Sequence, residues 1–307
     1  MANEPGALMN NDNQNNVAAT FQSKHVKSLL ESTLGDSGIP ARPAILDRIH
    51  SEMHKEKPDL NLLARIISAD VALAGELISI ANSPYFGVRG RVRSVNEALT
   101  VLGLDVACRA IAGSILRKLF PITQALERFW DASANIARLS GWLAQHQDIG
   151  VKIPANDAYT FGLFRDCGIA VLLNRFPYYH EVLMRANEEK ILSFTQIEAM
   201  KCPTNHAVAG SLLAQGWRLP EEISTAIRLH HDYAILQRDD STLLPPATRG
   251  LIAIAQLAEH IFQHHTGLSK TQEWFKSSEV CMQLLEIREE QLENLYEEAA
   301  PILAKYD

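Results

Sequence analysis

Cysteine is scarce. The 307-residue chain has four, at Cys108, Cys167, Cys202 and Cys281, and no C-x-x-C pair. That excludes a zinc ribbon and a disulfide framework, and it fits a reducing cytoplasm, where we expect the protein to reside. Positive charge is also short, with 29 Lys plus Arg against 36 Asp plus Glu and a formal net charge of −7. A general nucleic-acid binder needs surplus cations to displace phosphate counterions, and docking on anionic lipid by charge needs the same surplus. Neither is expected. No apolar run reaches the length of a membrane-spanning helix, and the first residues lack the basic-then-apolar order of a secretory signal. A P-loop, G-x-G-x-x-G, G-x-S-x-G and H-E-x-x-H are all absent. The nucleotide folds and serine hydrolases therefore have no support.

What is present reads as an ordinary globular chain, with 47% hydrophobic and 21% charged residues and enough length for a sizeable core. Residues 1–20 hold six asparagines and few large apolar side chains, so a mobile tail is expected. A helix is expected to begin near Phe21, and the rest reads as helix with no convincing period-2 strand. Asp59 and Asp70 precede apolar helical runs and suit N-caps. Ser94 with Glu97 forms an S-x-x-E box, Gly103 ends that run, and Asp105 is placed to cap the next. Ser193 with Gln196, or Thr195 with Glu198, caps a short helix. Trp217, just ahead of Pro220, is expected in the core. The sequence divides into a tail (1–20), an N-terminal helical part (21–120), a helical core (121–270) and a C-terminal helical extension (271–307). The parts are expected to form one composite all-α unit.

Eleven histidines are the main chemical resource. His206, His230 and His231 fall on or beside two expected helices, and Asp166 lies near the end of another. Imidazole and carboxylate donors converging from facing helices can hold a metal. The alternative is that each histidine bonds to backbone near a helix end, since no i, i+4 pair links these positions. His50/His54 and His260/His264 do have that spacing, but their polar or helix-end settings read as solvated surface. The segment around Arg91 and Arg93, ahead of Ser94, could take an anion or simply pair with surface carboxylates.

The stretches IPARPAILDRIHSEM, LARIISADVALAGELISIANSPYFG and VRSVNEALTVLGLDVACRAI resemble the opening of the HDOD family. FWDASANIARLSGWLA, AYTFGLFRDCGIAVL, NHAVAGSLLAQGWRLPEEISTAIRLHH and LIAIAQLAEHI resemble its later segments. The resemblance covers about residues 38–262. It implies a compact multi-helix bundle like that of the HD phosphohydrolases, with an additional N-terminal helical layer. Those enzymes hold divalent metal with a histidine, a His-Asp doublet and a distant aspartate, and the metal acidifies a bound water. By resemblance these positions fall on Ala132, on Arg165-Asp166 and on Gln256. Only Asp166 survives as an anionic ligand, and Arg165 brings a fixed positive charge. His206, His230 and His231 match further histidines of the HD-GYP branch.

The resemblance therefore implies a bacterial signalling or regulatory module without catalysis, acting by protein–protein or small-ligand binding, and no cofactor is expected. The implied partners are regulatory proteins, including cyclic-di-GMP signalling enzymes and two-component proteins. They would dock on exposed apolar surface of the N-terminal layer or the C-terminal extension. A second reading is a metal-dependent phosphohydrolase with an altered ligand set, its ion held by Asp166, His206 and His230 or His231. A third is nucleotide sensing, with Arg165 and Arg91 or Arg93 meeting phosphate.

Overall fold

Short polar residues start the helices where the sequence places them. The Leu62 N–H donates to Asp59 at 3.0 Å, and Ala72 and Leu73 both donate to Asp70. Ser193 and Gln196 close a reciprocal capping box. Each interaction satisfies a backbone N–H that the first helical turn leaves unpaired. Two expectations need correction. Ser94 caps its helix, accepting the Glu97 N–H at 3.2 Å, but the Glu97 carboxylate reaches past Ser94 to accept the Arg93 N–H at 2.7 Å, so only half of that box is made. Asp105 lies inside the next helix rather than capping it. The preceding break is made by Gly103, whose φ of 74° suits a residue without Cβ.

The structure, a computed structural model, describes residues 38–83, 86, 90–121, 123–238 and 244–303. The expected tail and the helix from Phe21 lie outside them. Among the described residues every regular element is a helix. In chain order these are α1 (Ala44–Met53), α2 (Leu60–Ser68), α3 (Val71–Ala81), α4 (Val95–Leu102), α5 (Leu104–Lys118), α6 (Gln124–Leu143), α7 (Ala155–Phe164) and α8 (Cys167–Arg175). There follow α9 (Tyr179–Glu188), α10 (Phe194–Ala199), α11 (His206–Gly216), α12 (Glu221–Leu229), α13 (Tyr233–Gln237), α14 (Pro246–Thr266), α15 (Glu273–Leu285) and α16 (Glu289–Leu303).

The described residues from Ile39 onward form one unit. Helices α1–α5 pack on one another as an N-terminal layer, and α5 joins that layer to α7. The core is built from α6 on α7, α8 on α11, α11 on α12, and α14 against α6. Helix α14 is the axis. Its residues from Leu251 to Glu259 are all buried, as expected of a helix apolar on every face. The C-terminal helices α15 and α16 both pack on α14. Trp217 is buried as expected, and its indole N–H donates to the Pro40 carbonyl at 3.0 Å.

No single helix among the described residues is long and apolar enough to cross a membrane. Of the two histidine pairs, one member of each departs from the surface reading. His260 stacks on Trp274 with ring centroids 4.5 Å apart and bonds the Tyr296 hydroxyl at 2.7 Å. His50 is half-buried, whereas His54 and His264 are exposed.

Candidate functional site

Four side chains meet at the centre of the core. Asp166 sits in the short break between α7 and α8, and His206 is the first residue of α11, which Asn205 caps. His230 and His231 follow the last turn of α12. His206 Nε2 lies 3.1 Å from His231 Nε2 and 3.2 Å from His230 Nε2. Asp166 Oδ1 lies 3.2 Å from His230 Nε2 and 3.6 Å from His206 Nε2. All four atoms fall within 4.8 Å of one another.

The other nitrogen of each imidazole is already engaged. His230 Nδ1 donates to the Ile227 carbonyl at 2.7 Å, His206 Nδ1 meets Glu198 at 2.8 Å, and His231 Nδ1 meets Glu273 at 2.6 Å. Carbonyl and carboxylate oxygens accept, so Nδ1 carries the proton in each ring. In the neutral imidazoles Nε2 is then a bare lone pair. Three such lone pairs and one carboxylate oxygen point at a common centre. Left neutral they repel; a proton on one ring or a metal ion between them relieves that repulsion.

The carboxylates behind the rings are themselves fixed. Glu198 is fully buried, takes the His206 backbone N–H at 3.1 Å and also accepts from the Tyr179 hydroxyl. Glu273, on α15, takes the Lys276 ammonium at 2.6 Å and the Tyr233 hydroxyl. Burial alone would raise the Glu273 pKa, but His231, Lys276 and Tyr233 hold it well below the usual carboxylate range. Burial opposes charge on His206, and Glu198 and then Asp166 override it, raising that pKa. Burial, reinforced by His231, depresses His230 to about 3. The site therefore favours neutral His230 over a wide pH range.

Beside the quartet, where the resemblance places the doublet's histidine, stands Arg165. It is 3% exposed. Nε donates to Asp166 Oδ2 at 2.9 Å, one terminal nitrogen reaches Glu259 at 2.8 Å, and the other reaches the Ala255 carbonyl at 3.2 Å. Burial opposes the Arg165 charge, and the Asp166 and Glu259 carboxylates outweigh it. Burial likewise opposes ionisation of Asp166, and Arg165 holds its pKa well below the ordinary value. Gln256 donates to Glu259 at 3.2 Å. Ala132 is buried on α6 and offers only a methyl group.

The degenerate positions therefore separate into two parts. Asp166, His206, His230 and His231 converge, while Arg165, Glu259 and Gln256 form a hydrogen-bonded chain behind Asp166. The anion-binding reading of Arg165 loses its basis, because every guanidinium nitrogen has a protein acceptor. Arg91 and Arg93 are exposed, and among the described residues no partner gathers them into a site with Arg165. The sequence marks neither Glu259 nor Glu273, and it marks Glu198 only as a capping partner of Thr195.

Comparison with known proteins places this architecture. Residues 39–233 match the HDOD domain, and the chain belongs to that family. A curated relative from Treponema pallidum (strain Nichols), described only as an uncharacterized protein, is 26% identical over 223 residues, 71% of this chain. The chain spans 42% of that relative's length. An HDOD domain protein of unknown function from Geobacter sulfurreducens superposes with a TM-score of 0.57 at 21% identity, covering 87% of this chain and 94% of its own. A candidate phosphohydrolase from Shewanella amazonensis SB2B gives a TM-score of 0.61 at 17% identity, covering 86% and 91%. A candidate signal transduction protein from Marinobacter aquaeolei VT8 gives 0.60 at 21% identity, covering 89% and 60%. At these identities the likeness is one of fold.

Proposed function

We propose that this chain is a regulatory module that holds one transition-metal ion between Asp166, His206, His230 and His231 and does not hydrolyse phosphate esters. One observation carries the metal half. Donor atoms in tetrahedral coordination at about 2.0–2.1 Å from an ion lie about 3.3–3.4 Å apart; four of the six donor pairs here lie 3.1 to 3.6 Å apart, and all six lie within 4.8 Å. Each histidine is also oriented through Nδ1 by an acceptor, the outer arrangement that metal-bound imidazoles require. A set of three imidazoles and a carboxylate suits zinc, with iron and nickel as competitors.

The non-hydrolytic half rests on the donor count: were all four side chains bound to one tetrahedral ion, no position would remain for an activated water. A second ion beside Asp166 is opposed by the Arg165 guanidinium, which already occupies Oδ2. The metal would then be structural, binding the break before α8 to α11 and to the end of α12. Regulation would act through partner proteins. Val71 on the N-terminal layer and Phe275 on the C-terminal extension, 83% and 72% exposed, are apolar contacts such a partner would cover.

Elemental analysis of the full chain purified without chelator tests the reading. The expected result is near one ion per chain, lost in His206→Ala, with no turnover of bis(p-nitrophenyl) phosphate. A metal-free protein would overturn the metal half. Metal-dependent turnover would overturn the non-hydrolytic half and favour the phosphohydrolase alternative, with Asp166, the partly exposed member of the quartet, as the opening to solvent.

A further inference from the structure

A cluster of basic side chains lies outside the quartet. Helix α1, helix α5 and the turn Trp217–Pro220 enclose a cleft of about 220 Å³. Arg42, His50 and His54 line one side, Arg109 another, and Arg218 the turn. Asp105 is the one carboxylate on the wall. On a chain of net charge −7 this is a local reversal of sign.

The cations are unequally compensated. Arg42 pairs with Asp47 and Arg109 with Asp157, each at 2.5 Å. The Nε of Arg42 is buried and has no hydrogen-bond partner. Arg218 has no carboxylate within ion-pair distance among the described residues, and its φ of 60° is uncommon for a residue with a Cβ. His50 feels the cluster directly. Burial, followed by the charges of His54, Arg42 and Arg218, pushes its pKa down, against the opposing pull of Asp47. Leu46, Met53, Ala112, Trp217 and Leu219 supply apolar wall.

We infer that this cleft binds a small phosphate monoester, with the phosphate on Arg218, Arg42 and His50 and the organic body against Trp217 and Leu219. The dianion would supply the missing charge to Arg218. Guanidinium groups recognise phosphate through directional, charge-assisted hydrogen bonds. The volume falls below the ~300–1,000 Å³ of pockets for drug-sized ligands, which limits the body to a few heavy atoms beyond the phosphate. The assignment does not depend on the metal, although the turn that walls the cleft joins α11, which carries His206, to α12, which leads to His230 and His231.

Calorimetric titration of the full chain with phenyl phosphate and with inorganic phosphate is the test. Phenyl phosphate should bind in the millimolar range or tighter, and more tightly than inorganic phosphate. Arg218→Gln should weaken it by about tenfold or more, the loss expected for one charge-assisted hydrogen bond. Arg218 is exposed and unpaired, so this variant should keep the parent melting temperature. His50→Ala should also weaken binding, and His206→Ala should leave it intact. No heat of binding at ~10 mM ligand, far weaker than ordinary site affinities, would overturn the proposal. So would binding indifferent to Arg218→Gln, or binding lost in His206→Ala, which would place the phosphate at the histidines.

Discussion

Arg165 and Asp166, adjacent in sequence, are also joined through their side chains, Nε to Oδ2 at 2.9 Å. The contact divides the carboxylate. Oδ2 belongs to a guanidinium, and Oδ1 faces the histidines. In a two-metal site a carboxylate bridges two ions. Here the Arg165 guanidinium holds the place on Oδ2 that a second ion would need.

Arg165→Met should therefore be costly. It leaves Asp166 and Glu259 buried side by side without their shared cation, and breaking a buried ion pair from one side costs about 3–5 kcal/mol. Urea denaturation of the variant should show a loss of that order. The double variant Arg165→Met/Glu259→Leu should recover part of it, because one of the two stranded charges is removed. A single-variant loss under about 1 kcal/mol would mean that the network contributes no more than a surface pair.

Glu198→Gln tests the support behind the metal ligands. The substitution keeps the shape, removes the charge facing His206 Nδ1, and allows an amide nitrogen to face the ring's N–H. Loss of such an outer partner typically lowers metal affinity about 10–100-fold. Competition against a chromophoric chelator should show a drop in that range, with helical content unchanged by circular dichroism. Unchanged affinity would mean that the His206 orientation is set by the Asn205 cap and packing alone.

The sequence carries the local half of this design and little of the remainder. The caps at Asp59, Asp70 and Ser193 are legible because each partner lies two or three residues away. Asp166, His206, His230 and His231 emerge as a group through resemblance to a family, since no spacing rule joins them. Glu198 reads as a helix-start residue opposite Thr195, and nothing in the sequence marks Glu273. Their roles depend on which helix faces which, and Glu273 lies 42 residues from the histidine it holds. The same limit misplaces His260. An i, i+4 pair shows that two rings share a face, but not that Trp274 covers one of them.

His260 supplies a pH dependence. Burial, with the nearby charge of His264, lowers its pKa from 6.5 to about 4. Above pH 6.5 the ring is neutral in both folded and unfolded chains, and its contribution is fully present. As pH falls through 6.5 the unfolded chain takes up a proton that the fold refuses, so stability drops. The loss stops growing below about 4, where the folded ring also protonates. Partial solvent access keeps the effect below the full linkage value. His260→Phe keeps the stack on Trp274 and removes the titration. Between pH 6.5 and 4 the stability of the parent should fall more steeply than that of this variant. Parallel curves would refute the assignment.

The close approach of α8 to α11 sets the spacing between Asp166 and His206. A Cβ added at Gly168 would stand 2.0 Å from the His206 carbonyl oxygen and 2.7 Å from the Gly210 nitrogen. Both obstacles are backbone, so no rotamer change relieves the clash, and the helices must separate. Overpacking of a core typically costs about 1–3 kcal/mol, and a clash against backbone belongs at or above the upper end. Gly168→Ala should therefore lower the urea midpoint. In the fraction that remains folded, it should weaken metal binding without altering a ligand. The control is Gly75→Ala on α3, where an added Cβ meets nothing within 4 Å. That change should be neutral or slightly stabilising, since alanine favours a helix over glycine. If both variants keep parent stability and metal content, the separation of Asp166 and His206 is not set by backbone contact between these two helices.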